Sequence, residues 1–254
     1  MATLAGPEAR AQSEERFFFR MACTIAVLIV AGFGFQLGAG RSTFAVPLVF
    51  HLHAFVFFGW VALFVCQSGL VAADNVALHR KLGWLSVVWL PLMVVMGIII
   101  TITSMQRSGG PFFFDANEFM ISNVIGLLAF AGMISTAIIM RRRTDWHRRL
   151  IMSAMAAILG PAFGRLMPMP LLIPSGLGWE ISNVIGLIFI LVGMAADKRR
   201  HGAVHPAWMV GLAVGFGWIA LGQVLSYQPW AIELTKSVMA GHPGAARPME
   251  AYLP

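Results

Sequence analysis

Three histidines stand beside short basic clusters at the starts of apolar runs. His79 and His147 open the basic motifs His79-Arg80-Lys81-Leu82 and His147-Arg148-Arg149-Leu150, and His205 stands just ahead of another apolar run. Imidazoles at one depth on neighbouring helices are what axial haem ligation requires. His79 and His147 are therefore the candidate ligands for a haem b. Asp145, two residues before His147, is placed to orient its ring, as carboxylates behind metal-bound histidines do. Arg80, Lys81, Arg148 and Arg149 suit haem propionates or, equally, anionic lipid headgroups.

A second set lies on the preceding helix. His53, Trp60, Gln67 and Asp74 recur every seven residues, nearly two helical turns, so they share one face. Polar groups inside a bilayer are costly and default to functional candidates. Trp60 and Gln67 are expected to line the interior. His51 is two residues from His53 and points to another side, so the two are a candidate metal pair only where the first turn frays.

A third set is nearer the opposite membrane face. His147 and Arg165 are eighteen residues apart and share a helix face. Arg165 needs a partner, and Glu180 is the nearest by depth, with Asn183 one turn further on. His53, Asn123, Arg165, Glu180 and Asn183 form a candidate outer pocket, with Gln36 and Gln223 at similar depth. It is either a network that fixes helix register or a pocket for a substrate or metal. Met167 and Met169 offer soft thioethers, although sixteen methionines in such a chain favour packing. Cys23 and Cys66 are expected to be small core residues.

The elements that position these groups follow from composition. The 254 residues are 58% hydrophobic and 11% charged, where soluble domains carry about 25% charged residues. This excludes a soluble enzyme, a disordered chain and a nucleic-acid binder, and implies an all-α polytopic membrane protein. Runs long enough to span fall at 17–38, 47–73, 83–104, 118–140, 149–167, 179–196 and 206–227, which predicts a seven-helix bundle. The division is a cytoplasmic segment 1–16, a transmembrane domain 17–228 and an extracytoplasmic tail 229–254, expected to be poorly ordered. The run from Phe17 is too long for a signal peptide's apolar core and reads as a retained span. Thirteen of the eighteen Lys and Arg fall on one side if the N-terminus is cytoplasmic, so the positive-inside rule gives N-in, C-out. Trp84, Trp146 and Trp208 mark inner ends, and Trp179 and Trp230 outer ends. The run from Ile121 to Leu127 recurs at Ile181 to Leu187, and the His79 and His147 motifs echo each other. Three related helical hairpins after one extra helix account for both. Gly34 and Gly38, Gly211 and Gly215, Gly126 and Gly186 are placed for close helix approach.

His53 with Trp60 and Gln67, Leu78-His79-Arg80-Lys81-Leu82-Gly83-Trp84, and His147 to Met152 continuing to Pro161 and Arg165 resemble a family of uncharacterised bacterial multi-pass membrane proteins. The match covers the second to fifth spans. It is more remotely similar to membrane proteins grouped with b-type haem cytochromes and haem-copper oxidase assembly factors. The resemblance implies the fold and topology of a bacterial inner-membrane protein, and the inward-facing histidines add the expectation that it binds haem or metal for electron transfer or cofactor handling. Two alternatives stay open: a cofactor-free transporter or lipid-interacting protein using the outer pocket, and a structural subunit beside membrane-protein partners.

Overall fold

A computed structural model describes residues 7–253, with side chains from Gln12 onward. The expectations for residues 1–6, and for the side chain of Arg10, lie outside the described residues. The described chain is all-α, with no strand among its residues. Helix α1 (Pro7–Gly38) is followed by α2 (Leu48–Ala72), the short α3 (Val76–Gly83), α4 (Leu85–Ser108) and α5 (Ala116–Ile139). Then come α6 (Thr144–Ala157), α7 (Gly160–Leu166), α8 (Gly178–Gly186), α9 (Ile188–His201), α10 (Pro206–Ser226) and α11 (Pro229–Met239). Six stretches are long and apolar enough to cross a membrane: 12–38, α2, α4, α5, the α8–α9 stretch and α10. The protein thus has the build of a multi-pass membrane protein.

The expected fifth span is a bent pair. Helices α6 and α7 meet at 40°. Pro161 supplies the cause: it lacks an N–H, and its ring excludes the carbonyl four residues back. The first helix extends well before Phe17, because Glu14 lies on the stripe of Phe18, Met21, Ala22, Ile25 and Ile29, all buried. The expected disorder after residue 229 is also corrected. Helix α11 and a 3-10 turn, Pro243–Ala246, order the tail. It is tied to the loop before α5 by Ala116 N–H to Met249 O and Tyr252 N–H to Phe112 O.

Hairpins α2–α4, α5–α6 and α9–α10 turn at one end. There Asn75 caps α3 by accepting from the Leu78 N–H, and the His205 side chain caps α10. Call this the basic end. Helices in lipid associate by packing rather than by hydrophobic drive, so small residues decide how closely they approach. A Cβ on Gly126 would meet Trp218, and one on Gly186 would meet the Ala156 carbonyl. Gly211 and Gly215 face Ser153 and Leu187. Gly34 and Gly38 face open space, so the close approach expected of them is not made. Trp208 is no interfacial residue: it is fully buried, stacked on Phe18. Cys66 is exposed on α2 rather than in the core.

Candidate functional site

Two of the three basic-end imidazoles meet. The rings of His79 on α3 and His147 on α6 have centroids 6.4 Å apart and planes at 77°. His147 Nδ1 lies 2.7 Å from the Ala137 carbonyl oxygen. That oxygen only accepts, so Nδ1 carries the proton and Nε2 keeps a free lone pair. His79 is held by Gln67 from α2. In the orientation that satisfies every partner, the Gln67 amide nitrogen donates to His79 O at 3.1 Å and to His79 Nδ1 at 2.6 Å. Its oxygen then accepts from the Gly83 N–H at 2.8 Å. Burial first, then neighbouring His147, lowers the His79 pKa, which keeps the ring neutral.

The third imidazole does other work. His205 donates from Nε2 to Asp145 Oδ2 at 2.9 Å, while its Nδ1 accepts from the Ala207 N–H. Asp145 therefore orients His205 and not His147. Residues two apart on α6 point to different sides, and the backbone of α5 takes the orienting role. Arg148 is not free for a propionate or a lipid: it pairs with Glu14 and lies over the Phe18 ring. Arg80 and Lys81 are exposed on α3. Trp60 is a core residue, its indole N–H directed at Met155 Sδ and its ring edge-on to Phe130.

Beside this pair lies a buried ion network that the charge pattern did not reveal. Arg149 donates from Nε to Asp197 Oδ2 at 2.8 Å and from Nη2 to Asp197 Oδ1 at 2.7 Å, and also reaches Glu14 at 3.1 Å. Glu14, Asp197 and His201 are close enough together to share one ion. Arg148 and Arg149 already neutralise those carboxylates, so the cluster is a clamp joining α1, α6 and α9.

At the opposite end no hydrogen bond or ion pair links the five expected pocket residues to one another among the described residues. Asn123 donates to Thr101 Oγ1 on α4 at 2.6 Å. Asn183 donates to the Trp179 carbonyl and packs against Gly160. The Arg165 guanidinium lies 4.1 Å from the Phe33 ring centroid and donates to the Pro161 carbonyl. No ion pair joins it to Glu180 among the described residues, because the bend before α7 turns it toward α1. His53 packs on Phe57 with a buried, unpartnered Nδ1. His51 is exposed and directed at the Phe44 carbonyl oxygen, so the helix holds the two imidazoles apart.

The convergence at this end involves residues outside that set. Asp115 accepts from Tyr227 OH and from the Ala251 N–H, each at 2.8 Å. Arg247 donates to the carbonyls of Gly109, Pro111 and Phe114, pinning the tail. Glu118, beside Glu180, is 3% exposed, and its Oε1 has no hydrogen-bond partner. A carboxylate in the first turn of an apolar span is the signal by which the sequence could have revealed it.

Comparison with known protein families, with curated proteins and with solved structures finds no match for this chain.

Proposed function

We propose that the chain crosses a bacterial cytoplasmic membrane seven times, N-in and C-out, and holds a haem b or a metal between His79 and His147. Its work is electron transfer or cofactor handling. The seventh crossing is the bent α6–α7 pair, and the orientation follows from the Lys and Arg clusters at the basic end. The observation that carries the cofactor assignment is the spacing of the two rings. The imidazoles of α3 and α6 have centroids 6.4 Å apart, so His79 and His147 are the residues that would hold such a group.

His147 already offers Nε2. For His79 to do the same, its proton must sit on Nδ1, and the Gln67 amide must turn so that its oxygen accepts it. Gln67 is thus the positioning residue that selects the His79 tautomer. Exposed Arg80 and Lys81 remain for propionates or for anionic headgroups of the bilayer. A haem, if held there, would supply one-electron chemistry.

Purified protein from haem-replete cells is expected to show a Soret band that is lost in His147→Ala and kept in His205→Ala. Colourless protein with no bound metal by elemental analysis overturns the proposal.

A further inference from the structure

We infer that the cavity beneath the C-terminal tail, at the end opposite the imidazole pair, binds a small organic ammonium ion. The cavity holds about 200 Å³, below the roughly 300 Å³ at which pockets for drug-sized ligands begin. Its walls have two chemistries. Asp115 and Glu118 supply carboxylates, with Glu250 from the tail. Phe113, Phe114 and Trp179 supply aromatic rings, Phe114 and Trp179 standing edge to face at 5.0 Å.

Glu118 is the feature that calls for a ligand. It lines the cavity, is almost wholly buried, and leaves Oε1 without any partner. A buried carboxylate without a counter-charge is costly, so such a group either holds a proton or takes a cation in its place. The nearby cation does not serve it: the Arg247 guanidinium is spent on three backbone carbonyls. Anions are repelled by the acidic wall. A small metal ion needs several oxygens converging on one point. Among the described residues, the three-membered group that converges in this way is Glu14, Asp197 and His201, at the other end. An ammonium ion uses both walls at once, its charge against Glu118 and its carbon atoms against rings whose faces attract cations.

The test is equilibrium dialysis of radiolabelled tetramethylammonium against the full-length protein in detergent. Saturable binding at one site per chain is expected. It should be competed by methylammonium but not by neutral tert-butanol, and weakened about tenfold or more in Glu118→Gln and in Trp179→Leu. Absence of saturable binding overturns the inference. So does binding in Glu118→Gln equal to that of the parent, or displacement by Ca²⁺ at lower concentration than by methylammonium. If Glu118→Gln does not purify, Trp179→Leu decides, since Trp179 lines the cavity: weaker binding supports the site, and unchanged binding overturns it. The Soret region of the same samples reports on the histidine pair, so the two proposals fail separately.

Discussion

Arg149 and Asp197 meet through two parallel hydrogen bonds, 2.8 and 2.7 Å long, with both side chains 3% exposed. Removing one partner of such a pair strands the other charge in the interior, which costs about 3–5 kcal/mol. Arg149→Met and Asp197→Leu are each expected to lower the unfolding midpoint of detergent-solubilised protein sharply. The double variant should recover much of the loss, since an apolar pair of similar volume is often tolerated. A double variant as unstable as either single one would show that Glu14 dominates the clamp.

Gln67 offers a cleaner handle on the histidine pair than the ligands themselves. Gln67→Glu supplies a permanent acceptor for His79 Nδ1–H and leaves Nε2 free for a metal. It is expected to tighten metal or haem retention during dialysis. Gln67→Leu should loosen it by about 10- to 100-fold, the usual effect of losing a group behind a ligand. Equal retention in the two variants would remove Gln67 from the site.

Acidification bears on the same residue. Burial and the His147 neighbour hold the folded His79 below the ordinary 6.5, so the unfolded chain takes up a proton first. Stability from the neutral ring is fully present above about 6.5 and is lost as the pH falls toward the folded value. Thermal midpoints measured on a falling pH series should drop below that point. The drop should flatten in His79→Gln; an identical profile in that variant would assign the pH dependence to another group.

How much of this was visible beforehand depended on whether a residue's partner lay along its own helix or across the bundle. Apolar length and turn residues located the long helices. The bend before α7 has its cause in Pro161, a residue that lies inside the straight helix expected over 149–167. Arg165 was expected to meet Glu180 on the premise of a straight helix. Asp145 was assigned to His147 by nearness in sequence, whereas the orienting group, the Ala137 carbonyl, is backbone from the preceding helix and leaves no trace in residue types. Glu14 could have been found. It continues the apolar stripe of Phe18, Met21, Ala22 and Ile25 at helical spacing, and a charge on a buried stripe requires a partner.

Tight helix crossings give the remaining prediction. A Cβ on Gly160 would sit 1.9 Å from Asn183 Oδ1, and one on Gly186 would sit 2.4 Å from the Ala156 carbonyl oxygen. Overpacking of this kind typically costs about 1–3 kcal/mol. Gly160→Ala and Gly186→Ala should both destabilise. Gly34→Ala, facing open space, should be neutral or slightly stabilising, because alanine is the better helix former. Chemical unfolding of the three variants side by side checks the ranking.

Trp60, Phe130, Met155 and Met93, all nearly inaccessible, fill the mid-section between the two polar ends. A dissolved molecule travelling from one end to the other would have to push that sulfur and aromatic plug aside. Charge carried as an electron would not. The histidine end and the carboxylate end are therefore held apart by an apolar mid-section of sulfur and aromatic side chains.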